Sequence, residues 1–362
     1  MATRSMSPQS SLEHSEAPRE STRSVLLVRP SALGDVCRSV PVLASLGRAF
    51  PSARIDWLVQ PEFVDAIRAH PTLNEAVDFP RSRFARWWFP PRTFEFLRWV
   101  RTFRHRYDLV VDCQGLFRSG LVTRATGAPI RIGDRNAREF AWLGYNRRHV
   151  VDGHAHSVDR WLALIASEGI EPIPDTRLYL SDEDRHWHRA QSLGDRYAVI
   201  APTSRWGSKR WPIDRWSKVL PSLADHGIEA VVLVGAPGEQ EQTATLRQGS
   251  SSSPMSMIDM TGRTTVGQMM SLLNGASIVL SCDSAAMHMT VGFDRPLVAL
   301  FGPTDPSYVG PYGRPDAVIR APGATGHVSH RHHDDSTMSR ITHTAVIQRV
   351  NEVLDAEGSS SR

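Results

Sequence analysis

Short runs of β-branched and aliphatic residues recur along the chain, with amphipathic stretches between them. In the first half the runs are SVLLVR, RIDWLV, AVDF and DLVVDC; in the second they are YAVIAP, EAVVLVG, SIVLSC and LVALFG. The helical patterns WSKVLPSLADHG, VGQMMSLLNGA and SAAMHMTVG separate the second series. Strand and helix patterns in alternation predict βα units on parallel sheets, and two successive α/β domains, each doubly wound, account for both series. The joint is expected within GIEPIPDTRLYLSDEDR (169–185), where prolines and acids break the periodicity. The expected division is a tail over 1–23, a first domain over 24–175, a second over 176–340 and a closing helix over 341–357. In that last pattern Val346, Ile347, Val350 and Val353 share one face, which predicts docking on a domain surface. Phe96, Val100, Phe103 and Tyr107 also recur at helical spacing and are expected in the core.

Composition narrows the class. With 362 residues, 41% hydrophobic and 22% charged, the chain can bury two cores, and disorder throughout is excluded. The formal net charge of +4 suits phosphate-bearing or acidic partners without calling for nucleic acid. Three cysteines, Cys37, Cys113 and Cys282, show no CxxC spacing. They read as buried thiols in a reducing compartment, neither a disulfide framework nor a zinc site. The Ser-, Pro- and charge-rich residues 1–23 hold no signal-peptide core and are expected to be disordered. No apolar run reaches membrane-spanning length. A cytoplasmic protein is expected, with peripheral membrane contact open.

Doubly wound sheets bind ligands at the carboxyl ends of their strands, so the cleft between the domains is the expected site. VRPSALGDV (28–36) carries Asp35 into the first turn of a helix, either as a cap or as a reacting group. APTSRWGSKRWP (201–212) forms a strand-to-helix loop in which Lys209 can neutralise a diphosphate. Glu239, just past the turn in VVLVGAPGEQEQ, stands where a carboxylate can accept from ribose hydroxyls. In LSCDSAAMHMTVGFDRP, Asp283 and Ser284 follow a strand, the small Ala285 and Ala286 allow close approach, and His288 lies in the first turns. Thr304 of FGPTDP can donate to an anion. The segment 81–107 holds eight arginines against Glu95, interleaved with aromatics. Its residues Arg81 to Trp88 suit an anionic amphiphile. Arg135, Arg138, Arg147 and Arg148 form a further basic set. The His-rich stretch 323–336 reads as an exposed loop.

Taken in order, VRPSALGDVCRSVPVL, VVDCQGLFRSGLVTR, NAREFAWLGYNRRH, APTSRWGSKRWP, VGAPGEQEQ, SCDSAAMHMTVGFDRP and FGPTDP resemble the heptosyltransferases of lipopolysaccharide core synthesis, glycosyltransferase family nine. The middle motifs are most similar to the enzymes that add the first heptose to Kdo. The resemblance spans roughly residues 24–320 and implies a GT-B fold, two Rossmann-like domains facing across a cleft. It implies inverting, metal-independent transfer of a heptose from ADP-heptose to a Kdo-lipid A type acceptor, without a cofactor. It makes Asp35 the base and Lys209 the partner of the diphosphate. On the donor side it places Thr203, Ser204, Glu239, Asp283, Ser284, Ala285, His288 and Thr304. On the acceptor side it places Ser31, Gly34, Arg81, Arg83, Arg86, Gln114, Arg118 and Arg138. Asp283-Ser284-Ala285 departs from the family's Asp-Ser/Thr-Gly. Two other readings fit the frame: a transferase of another nucleotide sugar, and a non-catalytic protein that binds sugar nucleotides or anionic glycans. A sugar-nucleotide epimerase fits less well, because it has no use for a basic acceptor-side loop.

Overall fold

A computed structural model describes residues 22–83, 89, 92–249, 255–324 and 337–360. The tail over 1–21, Arg86 and the His-rich stretch from 325 onward lie outside them.

The strands of the first half are β1 (Ser24–Val28), β2 (Arg54–Val59), β3 (Glu75–Asp78), β4 (Leu109–Asp112), β5 (Ile130–Asp134) and β6 (Arg147–His149). Those of the second are β7 (Tyr197–Ala201), β8 (Ala230–Leu233), β9 (Ser256–Asp259), β10 (Ile278–Cys282), β11 (Leu297–Phe301) and β12 (Val318–Arg320). Every pairing is parallel. The first sheet runs β3-β2-β1-β4-β5-β6, and the second, β12-β11-β10-β7-β8-β9, has the same order from its other edge. Each is therefore doubly wound, with strand order reversing between its first and fourth strands.

Both sheets are covered on both faces, which is why their central strands read as unbroken apolar runs. In β1, Val25 and Leu27 join one apolar cluster while Leu26 and Val28 join another. In β7, Tyr197, Val199 and Ala201 share the cluster of Val25 and Leu27, whereas Ala198 and Ile200 face a third. One continuous apolar layer thus passes from the first half into the second. Residues 170–181 join the halves without helix or strand, and Leu178 and Leu180 bury themselves in that layer.

The helical spacing at 96–107 holds: Phe96, Val100, Phe103 and Tyr107 are all buried under the first sheet. Helix His343–Ser360 packs Val346, Val350 and Leu354 into the second half's outer cluster, beside Trp211 and Trp216. Trp211 Nε1 donates to Ile341 O at 2.9 Å, fixing the approach to that helix. All three cysteines are buried thiols. The pattern WSKVLPSLADHG is not one helix: it splits into Ile213–Ser217 and Leu220–Asp225, because Pro221 lacks the N–H a continuous helix needs and sits instead in a new first turn. Among the described residues, no helix is long and apolar enough to cross a membrane.

Candidate active site

Asp35 is the third residue of helix Leu33–Arg38, which is separated from β1 by four residues. Its Oδ2 accepts from the Ala32 N–H at 3.2 Å, so the carboxylate caps the helix. Its Oδ1 takes Arg29 Nη2 at 3.0 Å and also Arg38 Nη2. Arg38 is three positions on along the helix, which puts it on Asp35's own face. Burial pushes the Asp35 carboxyl up, but the two guanidiniums and the Ala32 N–H outweigh it and hold it far below the ordinary carboxylate range. Arg29 is itself fixed: Nη1 donates to Cys113 O, and the guanidinium lies 5.4 Å over the Trp161 ring. Arg29 Nε and Arg38 Nε and Nη1 are buried without a hydrogen-bond partner.

The loop after β4 supports this arrangement from the neighbouring strand. Asp112 Oδ1 accepts from the N–H groups of Gln114 at 2.8 Å and Gly115 at 3.0 Å, and Asp112 Oδ2 accepts from Tyr145 OH at 2.8 Å. Gln114 Oε1 then receives the Ser31 N–H at 3.2 Å. Ser31, Gly34 and Gln114 therefore gather at the switch point between β1 and β4.

The equivalent switch point of the second sheet lies between β7 and β10. Thr203 and Ser204 are buried in the loop after β7, and Ser204 N donates to Gln242 Oε1 at 3.4 Å. Lys209 Nζ reaches Asp283 Oδ2 at 2.6 Å across 74 positions of sequence, with both side chains largely buried. Ser284 Oγ lies 2.9 Å from Ser281 Oγ, just before helix Ala285–Gly292. Glu239 Oε2 accepts from the Ala236 N–H at 2.9 Å, bracing its own turn. Thr304 is half-buried after β11.

The two switch points face each other. A Cβ placed on Gly34 would sit 2.9 Å from His288 Cδ2 and 3.7 Å from Ala285 Cα, so only glycine allows this approach. Burial and then the Arg38 charge hold His288 well below the ordinary imidazole range, with Asp35 opposing and Lys209 assisting. Asp35, Arg38, His288 and Lys209 thus form one electrostatic neighbourhood. Further bridges join the halves: His156 Nε2 to Gly310 O at 3.1 Å, Tyr312 OH to Asp159 Oδ1 at 2.6 Å, and Gly267 N to Asp65 Oδ2 at 3.2 Å.

Among the described residues, the expected acceptor arginines Arg81, Arg83, Arg118 and Arg138 do not join Asp35, whose ion-pair partners there are Arg29 and Arg38. Arg83 pairs with Glu95 at 3.4 Å on the surface. Arg118 lies 5.6 Å over Phe79, and burial followed by the nearby Arg81 charge lowers its pKa. Arg138 is exposed, its N–H donating to Gly115 O at 3.1 Å. Sequence reasoning assigned no role to Arg29, Arg38 or Trp161. The three-residue spacing of Arg38 from Asp35 was the available signal.

The chain matches the model of glycosyltransferase family 9 (heptosyltransferase) over residues 96–338. It is 30% identical to lipopolysaccharide heptosyltransferase 1 of Escherichia coli O18:K1:H7, covering 91% of this chain and 97% of that protein. Among solved structures it resembles E. coli heptosyltransferase WaaC with ADP, at TM-score 0.72 and 30% identity over 91% of this chain and 99% of the other. The same enzyme with ADP-2-deoxy-2-fluoro heptose gives TM-score 0.73 at 29% identity, with the same coverage. The paired doubly wound sheets are the GT-B fold, and the chain belongs to the heptosyltransferases of glycosyltransferase family 9.

Proposed function

We propose that the protein moves a heptose from ADP-heptose to a Kdo-lipid A type acceptor at the cytoplasmic face of the inner membrane, with inversion at the anomeric carbon. The first domain, 24–175, takes the acceptor and the second, 176–340, takes the donor. The observation that carries this reading is the meeting of Asp35 from one switch point with the Lys209–Asp283 pair from the other around His288. Relatives named for heptose transfer, and a related structure holding an ADP-heptose analogue, support the choice of donor.

A single displacement needs a proton acceptor beside the incoming hydroxyl and a cation beside the leaving diphosphate. Asp35 Oδ1 is saturated by two arginines, so Oδ2, with only one backbone N–H, is the atom left to receive the proton. A carboxylate of such low basicity accepts that proton late, after the new C–O bond has made the hydroxyl acidic. Lys209 and the N-terminal end of helix Ala285–Gly292 meet the charge that develops on ADP. Thr203, Ser204, Glu239, Ser284 and Thr304 complete the donor side.

The test is transfer by the purified protein from ADP-heptose to Kdo-bearing lipid A, with Asp35→Ala run alongside. Turnover should vanish in the variant while donor affinity stays within a few-fold. A large loss of donor binding would make Asp35 structural. Ala285, where the resemblance implies a glycine, favours a second reading, a non-catalytic protein that binds sugar nucleotides or anionic glycans. No product with any ADP-sugar while nucleotide still binds would select that reading.

A further inference from the structure

Two bulky apolar side chains stand in solvent beside the loop that supports Asp35. Phe140 is 66% exposed and Leu143 is 56% exposed. Phe140 immediately precedes the 3-10 turn Ala141–Gly144 and Leu143 lies within it, so the two are neighbours on one short turn. The Leu143 N–H donates to Phe140 O at 3.0 Å. Glu139 and Phe140 both hold positive φ, at 54° and 60°, a conformation that costs non-glycine residues energy. The base of the turn is rigid: Ala141, Gly144 and Tyr145 are buried, and a Cβ on Gly120 would lie 2.5 Å from Ala141 O.

Four exposed arginines flank the pair in sequence, each within five positions of Phe140 or Leu143: Arg135, Arg138, Arg147 and Arg148. None forms an ion pair with a carboxylate among the described residues. Glu139, the one acid between positions 135 and 150, accepts the Phe117 N–H at 3.2 Å. Arg135 and Arg148 also line a polar cavity with Tyr145 and Asn146. Arg148 is braced 5.1 Å over Trp142, with Nε donating to Tyr145 O at 3.1 Å.

We propose that Phe140 and Leu143, together with the exposed arginines that flank them in sequence, form a surface that docks on a bilayer leaflet of anionic phospholipid. The apolar pair enters the boundary between headgroups and acyl chains, and the guanidiniums bind lipid phosphates. A second copy of the chain fits poorly, because a two-fold contact through a segment that carries four arginines and one acid sets like charges against each other. The surface rests on the heptose-transfer reading for its use: Arg138 N bonds Gly115 O beside Gln114, so a docked leaflet brings a lipid-linked acceptor to the loop next to Asp35.

The full chain is sedimented with vesicles of phosphatidylcholine alone and with vesicles containing phosphatidylglycerol, and the same protein is assayed on an acceptor stripped of acyl chains. Binding is expected only to the anionic vesicles. Phe140→Ser/Leu143→Ser should abolish it while leaving turnover on the soluble acceptor unchanged. Arg135→Gln and Arg147→Gln should each weaken it about fivefold. Equal binding of the double variant overturns the proposal, as does no binding by the parent chain. A change from dimer to monomer on substitution, seen by light scattering, assigns the surface to a second copy and also overturns it. Vesicle binding as expected, with no transfer to either acceptor, leaves the surface standing and removes the heptose-transfer reading.

Discussion

Arg38 Nη2 and Asp35 Oδ1 are ion-paired within one helical turn, and Arg29 Nη2 reaches the same oxygen at 3.0 Å. The carboxylate's anionic state is therefore enforced, and one of its two oxygens is occupied.

Removing Arg38 should expose the consequence in the pH profile. Asp35 lies below its ordinary value, so in the parent chain it stays ionised throughout the mildly acidic range. Arg38→Ala withdraws one of two opposing charges and should move the acid limb of kcat upward by about one to two pH units. A limb that stays in place while kcat falls uniformly would mean that Arg38 acts through packing alone.

Lys209 and Asp283, paired at 2.6 Å, should affect ADP in opposite senses. Lys209→Ala should weaken ADP binding about tenfold to a hundredfold in calorimetry, as expected for loss of a charged hydrogen-bonding partner. Asp283→Asn removes an anion beside the phosphates and should leave ADP binding equal or tighter. Parallel losses in both variants would place the pair outside the diphosphate site.

Gly34→Ala should cost about 1–3 kcal/mol, because its Cβ would meet His288 Cδ2 at 2.9 Å. Combining it with His288→Ala should recover much of that loss in a double-mutant cycle followed by urea unfolding. Strict additivity would show that the halves do not press together at this point.

Stability should fall on mild acidification through three buried histidines. Burial lowers His70 to about 4, and it also lowers His156 and His288. The unfolded chain takes up protons at these histidines near pH 6.5 while the folded chain does not, so their contribution is complete above that pH and declines as pH falls through it. The melting temperature should drop between about pH 7 and 5. His70→Asn should flatten part of the slope, and an unchanged slope in that variant would exclude His70 as a source.

The alternation of strand and helix patterns was legible because the central strands are buried on both faces, as in SVLLV and YAVIA. Three of the four edge strands were not. β6 has three residues, RRH, and β9 and β12 are half-exposed, so neighbouring strands rather than side-chain pattern define them. Asp35, Lys209 and Asp283 could be singled out because each stands just past a strand end. Their pairings could not be read: Lys209 meets Asp283 only once β7 and β10 are side by side, and Arg29 reaches Asp35 only through the turn after β1.

The shared strand order of the two sheets has a consequence for how such a chain can diversify. Each crevice is framed by its own pair of loops, 29–34 with 113–115 on one side and 202–212 with 283–285 on the other. On the proposed function, recognition of each substrate would be written in separate stretches of sequence. Grafting the second pair from a relative with a different donor should change which activated sugar is consumed while the receiving molecule stays the same, so the architecture behaves as two exchangeable sockets around one reaction.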